Sequence, residues 1–206
     1  YPYLCLTVFL FGSLVRFDRE QYTWRTGSSQ LLRRRQLVWG SNLFHVGILF
    51  IFLGHFVGLL TPIRVFDMLG VSHGFKQMLA IVSGGLAGFA CFIGLSLLLY
   101  RRIFDPRIRL TSHRTDLAIL IILWVQLVIG LLTLPFSFSH SDGTVMLKLS
   151  AWAQGILTVQ PVDAKPLQGV DWPYLIHLVL GMTIFLLVPF SRLGHIWSAP
   201  VWYIGR

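Results

Sequence analysis

Four histidines fall inside long apolar stretches: His45, His55, His177 and His195. His45 and His55 share Ser41–Leu60, SNLFHVGILFIFLGHFVGLL, which contains no Asp, Glu, Lys or Arg. On a helix they would stand about 15 Å apart along the axis. An ionisable ring inside a membrane helix is costly, and by default it marks a functional site. Two rings at two depths need two partners. The other apolar stretch with two histidines is the last one, PYLIHLVLGMTIFLLVPFSRLGHIW, which holds His177 and His195.

The two stretches are expected to run antiparallel, and only one pairing then matches depths: His45 with His195, and His55 with His177. His177 and His195 are 18 residues apart, which is five turns, so a straight helix presents both on one face, about 27 Å apart. Averaged with the 15 Å on the first helix, the two levels lie on the order of 20 Å apart. That spacing suits a relay rather than one metal cluster. Zinc takes three or four ligands at one level, commonly with Cys or carboxylate among them. A proton path would use Asp or Glu at depth. Here each level offers two imidazoles and no acid. Two axial imidazoles suit six-coordinate haem, which transfers electrons. The spacing therefore predicts two haem b groups stacked across a membrane. A simple hydrogen-bonding role for each membrane histidine remains the plain alternative.

The elements that must hold these rings follow from composition. Of 206 residues, 55% are hydrophobic and 12% charged, and the mean hydropathy is +0.70. This is the profile of an integral membrane protein. Apolar runs over about 1–15, 41–60, 77–100, 116–136 and 173–197 predict a single all-α domain, 1–206, of five transmembrane helices. The first run is short and the chain begins without Met, so a few preceding residues are expected. That run lacks a basic n-region and a small-residue cleavage site and does not read as a removed signal peptide. The net charge of +9 reads as topology rather than nucleic-acid binding. Of 17 Lys and Arg, all but Arg64, Lys76, Lys148 and Lys165 fall on the side of the connections 16–40 and 98–115 and the C-terminus. The positive-inside rule puts that side in the cytoplasm and the N-terminus outside.

The rest of the chain offers less chemistry. Cys5 and Cys91 read as small packing residues. The basic loop 16–40, with Trp24 and Trp39, reads as an interfacial anchor or as a docking surface for a cytoplasmic partner. Gly47, Gly54 and Gly58 share a helix face, which suits close packing or room for flat macrocycles. Gly84, Gly85 and Gly88 predict a packing face on the third span. Thr115 and Asp116 form an N-cap region, and Gln126 a helix–helix hydrogen bond. His73 and His140 read as solvated loop residues. The segment VMLKLSAWAQGILTV is amphipathic and too short to span, so an interfacial helix is expected. Arg192 lies three residues before His195, so it reads equally as a positive-inside anchor or as the partner of an inner-haem propionate. Lys76, taken alone, reads as a snorkelling interfacial lysine.

Longer motifs carry a resemblance. QYTWR, SNLFHVGILFIFLGHFVGLLTP, RRIFDPRIR, GLLTLPFS, DG..MLKL.AWAQ and HLVLGMTIFLLVPFSRLGHIWS.P resemble the gamma subunit of membrane-bound respiratory nitrate reductases, over nearly the whole chain. The resemblance implies a five-span di-haem cytochrome b of a prokaryotic plasma membrane. Such a subunit oxidises quinol at the outer face and passes electrons to a cytoplasmic iron–sulfur beta subunit and a molybdenum alpha subunit. It implies that the His55–His177 haem is distal, beside the quinol site, and that the His45–His195 haem is proximal to the partner subunits. It matches Lys76 to the family's quinol-site lysine and Gly54 to the glycine beside the distal ligand. The family's cytoplasmic tail would continue beyond Arg206. The nearest rival is a related quinol-linked cytochrome b subunit of a sulfur-metabolising or heterodisulfide-type complex. A rival of another class is a membrane anchor or transporter with packing histidines.

Overall fold

A computed structural model describes residues 1–20, 32–139, 142–161 and 165–197. Among them every regular element is a helix. In chain order these are α1 (Pro2–Arg19), α2 (Arg34–Leu60), α3 (Ile63–Met68), α4 (His73–Phe104), α5 (Pro106–Leu110), α6 (Arg114–Ser139), α7 (Thr144–Leu157) and α8 (Trp172–Leu187). Short 3₁₀ turns cover Lys165–Leu167, Val188–Phe190 and Arg192–Gly194.

Local chemistry sets several boundaries. Ser72 caps α4, its Oγ accepting from the Phe75 amide at 3.2 Å. Asp105 caps α5 by accepting from the Arg107 and Ile108 amides, and Pro106 takes the first helical position, where a missing N–H costs nothing. Asp116 is the third residue of α6, not its cap. Its Oδ2 reaches back to the His113 amide at 3.2 Å, which is one half of a capping box.

Four helices are long and apolar enough to cross a membrane: Arg34–Leu60, His73–Phe104, Arg114–Ser139 and Trp172–Phe190. Five were expected. The difference is α1, whose last four residues include Arg16, Asp18 and Arg19. These three charges in an 18-residue helix set it apart from the four. α2 and α4 also outrun the apolar runs 41–60 and 77–100, because a helix continues through polar flanks that hydropathy does not count. Phe50, Phe52, Phe56 and Leu53 of α2 are exposed, an arrangement suited to an apolar surrounding rather than water.

The main packing contacts run α2 to α4, α4 to α6, α6 to α8 and α8 to α1. α2 and α8 thus stand at either side of an arc, and two histidine pairs bridge the interval between them. α2 and α4 approach closely where neither has a side chain. A Cβ on Gly47 would meet the Ala87 carbonyl oxygen at 2.7 Å, and one on Gly94 would meet the Gly40 carbonyl oxygen at 2.7 Å. Cys5 and Cys91 are fully buried and unpaired, as packing residues should be. Trp124 of α6 ties to α4 through Nε1–H donated to Ser96 Oγ at 2.9 Å.

The last span is not the straight helix expected over 173–197. α8 ends at Leu187, and two 3₁₀ turns carry the chain to His195. Pro189 has no amide hydrogen to continue the ladder. The one-face argument for His177 and His195, and the 27 Å between them, therefore do not apply.

α7 is helical where an amphipathic segment was expected, and it closes one end of α2. Gln154 Nε2 donates to the Leu59 and Thr61 carbonyls at 3.0 and 3.1 Å, and Ser150 Oγ to the Gly58 carbonyl at 3.2 Å. These are the carbonyls that a helix C-terminus leaves without partners. His73 is not in a loop. It opens α4, with Nε2 3.1 Å from Asp67 Oδ1. His140, Trp24 and the segment 198–206 lie outside the described residues.

Candidate functional site

His45 and His195 face one another with ring centres 6.4 Å apart. His55 and His177 do the same at 6.2 Å. The broken end of α8 therefore still delivers each ring to the partner expected from depth.

The separation is informative. A metal–nitrogen bond of ~2.0 Å plus ~1.1 Å from nitrogen to ring centre, taken on both sides, gives about 6.2 Å for two imidazoles on one ion. Edge-to-face and offset ring pairs span about 4.5–7 Å, and these rings are inclined at 66° and 39°, so the distance alone does not select a metal. It is a distance at which two imidazoles can share one ion, and the ring orientation decides.

The tautomers agree. His45 Nδ1 is 2.7 Å from the Ser41 carbonyl oxygen, and His55 Nδ1 is 2.8 Å from that of Ile51. His195 Nδ1 is 2.7 Å from the Arg192 carbonyl oxygen, and His177 Nδ1 is 3.2 Å from that of Gln126. A carbonyl oxygen can only accept, so each Nδ1 carries the proton and each Nε2 carries the lone pair. Ligating histidines are oriented in this way by outer partners. Among the described residues no group of three or more His, Cys, Asp or Glu gathers to hold a metal ion. Two opposed imidazoles per level fit a haem, whose macrocycle supplies the other four donors, and do not fit zinc.

The outer partners differ between the levels. At the His177 level, Gln126 of α6 supplies the accepting carbonyl. Its Nε2 also donates to the His177 carbonyl oxygen at 3.1 Å, the helix–helix bond expected of Gln126, and lies 3.4 Å from His177 Nε2, a contact that a metal on that nitrogen would displace. Gly130, one turn on, lies against the ring: a Cβ there would stand 2.7 Å from His177 Cε1. Sequence reading passed over this glycine, because close approach to a ring is visible only in three dimensions. Gly130→Val is expected to turn the His177 ring and weaken haem retention at that level by ~10–100-fold, leaving the other level intact. Haem content resolved by redox titration checks it, and two unaltered haems would remove Gly130 from the site.

At the His195 level the environment is charged. Arg192 Nε lies 2.5 Å from Asp116 Oδ1, and Arg102 Nη1 lies 3.6 Å from Asp116 Oδ2. The sequence reading of Arg192 did not include an in-chain partner. A guanidinium has five N–H donors, so one bond to Asp116 does not exhaust it.

Lys76 is buried, with 6% of its surface exposed. It does not snorkel. Its Nζ sits 3.9 Å from the centre of the Phe66 ring of α3 and makes no hydrogen bond. No hydrogen bond or ring contact joins it to His55. The α2–α4 register relates the two regions. Gly47 faces Ala87 and Cys91, so the antiparallel register continues to Gly54 opposite Ala80–Gly84 and Gly58 opposite Lys76–Ala80. Yet Cβ atoms on Gly54, Gly58 and Gly84 would meet nothing within 4 Å. Gly54 and Gly58 are therefore not the packing contact; Gly40, Gly47 and Gly94 are. The seam is tight at the end near the arginines and open at the end near Lys76.

The family model described as nitrate reductase gamma subunit matches residues 1–206. The chain is 50% identical over 206 residues to the respiratory nitrate reductase 1 gamma chain of Escherichia coli (strain K12), covering all of this chain and 91% of that one. It is 36% identical to the nitrate reductase gamma chain of Bacillus subtilis (strain 168), covering all of this chain and 92% of that one. A more distant match, 28% identical over 95% of this chain and 56% of the relative, is the Hdr-like menaquinol oxidoreductase cytochrome b-like subunit of Archaeoglobus profundus. A match of this extent and identity shows that the chain belongs to the nitrate reductase gamma subunit family.

Proposed function

We propose that this chain is the quinol-oxidising di-haem cytochrome b subunit of a respiratory nitrate reductase. The observation that carries the reading is the pair of ring separations, 6.4 and 6.2 Å, each with Nδ1 turned to a carbonyl oxygen. His45 and His195 would hold one haem b, and His55 and His177 the other. Each haem iron would supply a one-electron acceptor and donor at its own depth.

α1 is proposed as the fifth span. It packs on α8, and Arg16 closes its charged end against the Pro189 and Ser191 carbonyls. The end carrying Arg16, Arg101, Arg102 and Arg192 is placed in the cytoplasm by the positive-inside rule, so the Lys76 end faces outward. Iron–sulfur and molybdenum subunits would dock at the cytoplasmic end.

Quinol would enter the open seam beside Gly54 and His55, with Lys76 Nζ donating to a quinol oxygen. An ammonium there favours the anionic form as a proton leaves. Quinol would lose two electrons and two protons to become quinone, with the protons released outside. Moving two electrons inward against 100 mV costs about 4.6 kcal/mol, so the arrangement conserves energy. The propionate partner proposed for the inner haem is Arg192. The 28% identity to the menaquinol oxidoreductase subunit, beside 50% to a nitrate reductase chain, favours nitrate reductase partners over a heterodisulfide-type complex.

A reduced-minus-oxidised spectrum of the purified membrane complex tests the reading. Two b-type components reducible by quinol, in a preparation containing molybdenum, are the expected result. Absence of b-type bands would favour an anchor with packing histidines. Two b haems without molybdenum or nitrate-reducing activity would favour the sulfur-metabolising alternative.

A further inference from the structure

His195 differs from the other three histidines in its support. His45, His55 and His177 stand on regular helix. His195 opens a new helical turn, 195–197, after a proline-broken segment of two 3₁₀ turns, so no unbroken ladder ties it back to α8. Arg16 of α1 holds the Pro189 and Ser191 carbonyls of that segment, and a second set of contacts reaches Arg192.

The structure provides a chain of contacts from α6. The His195 Nδ1–H bonds to the Arg192 carbonyl oxygen at 2.7 Å. The Arg192 guanidinium bonds through Nε to Asp116 Oδ1 at 2.5 Å. Asp116 is itself anchored, accepting the His113 amide at 3.2 Å and lying 3.6 Å from Arg102 of α4. It is 6% exposed, and it is the one acidic residue within the four membrane-length helices. Here one residue, Arg192, uses its side chain to reach Asp116 and its main chain to orient the ring.

We propose that Asp116 is a positioning residue for the His195 ring, acting through Arg192. The proposal rests on the reading that His45 and His195 hold the inner haem. Asp116 acts by fixing the rotation of the Arg192–Gly194 turn, and with it the direction of the His195 Nε2 lone pair. The same contact leaves Arg192 only its remaining donors for a propionate. Fixing the imidazole angle sets the low-spin spectrum and the midpoint potential of the iron it binds. His177, held by Gln126 on an unbroken helix, is outside this control.

The test uses the whole complex in membranes and compares wild type with Asp116→Asn, Arg192→Gln, the double variant, and His195→Ala. Asn keeps an oxygen for the His113 amide and loses the charge. The readouts are the low-field electron-spin signal and the midpoint potential of each haem, taken separately. The expected result is a shifted or lost inner-haem signal in both single variants and an unchanged outer-haem signal. The double variant should match the larger single effect rather than their sum, because both residues act in one chain. If Asp116→Asn does not accumulate, Asp116→Glu takes its place: a shifted inner signal beside an unchanged outer one supports the clamp, and an unchanged inner signal overturns it. An unchanged inner signal in Asp116→Asn, an equal change in both haems, or additive effects would also overturn it. These failures are distinct from failure of the haem reading, which shows as two intact haems in His195→Ala and overturns both.

Discussion

Alanine at His55 or His177 is expected to remove the outer haem and leave the inner one, and alanine at His45 or His195 to do the reverse. The geometry makes the levels independent. Ring centres lie 6.2 Å apart within one pair and 6.4 Å within the other. The supporting carbonyls are separate too: Ile51 and Gln126 for one pair, Ser41 and Arg192 for the other. Loss of one axial imidazole leaves a five-coordinate or empty site, and nothing in the other pair changes. Each single variant should therefore retain about one b-type haem of two, read as a low-spin component that survives redox titration. Combining His45→Ala with His195→Ala should add nothing, whereas combining His45→Ala with His177→Ala should abolish both. If His45→Ala and His177→Ala remove the same haem, the pairing is wrong.

The pairing was legible in the sequence because it needed only two facts: which stretches are apolar, and how far along each the rings fall. Those survive the break in α8. The straight-helix argument did not, although Pro189 was there to be read. A proline inside an apolar run signals a break without saying where the chain goes next. The supports of the rings were not legible. Gly130, Asp116 and Arg16 act across helices, at contacts set by the arc α2–α4–α6–α8–α1, which no periodicity encodes. The glycines show the same limit. Gly47, Gly54 and Gly58 share one face, and hydropathy treats them alike. Only the register shows that Gly47 packs while Gly54 and Gly58 look into open space. The capping of α2 by Ser150 and Gln154 was hidden for a further reason. An amphipathic helix announces its apolar face, not the backbone its polar face will meet.

Lys76→Ala is expected to lower quinol-driven reduction by ~100-fold or more while both haems remain. An ammonium on a buried side chain with no hydrogen-bond partner, balanced only by the more distant Asp67 carboxylate, is an expensive group to keep. The Phe66 ring face at 3.9 Å offsets part of the cost. The rest is accounted for if an oxygen ligand takes the free N–H bonds. Carried on from the Gly40–Gly94 and Gly47–Cys91 approaches, the register would set Lys76 across from Gly58, where an added Cβ would meet nothing within 4 Å. A quinol oxygen there would gain a charge-assisted bond that strengthens as its proton departs, so the interaction favours the reacting state over the bound one. Removing an unpaired buried charge does not destabilise the fold as removal of half of a pair does. Lys76→Ala should therefore assemble normally, and its defect is a defect of the site. Reduction of the partner subunits by a small artificial donor should continue at the wild-type rate. Steady-state oxidation of a quinol analogue, with haem content measured on the same preparation, decides the matter. Normal quinol turnover in Lys76→Ala with both haems present would make Lys76 a structural cation packed under an aromatic ring and would move the search for the quinol site elsewhere.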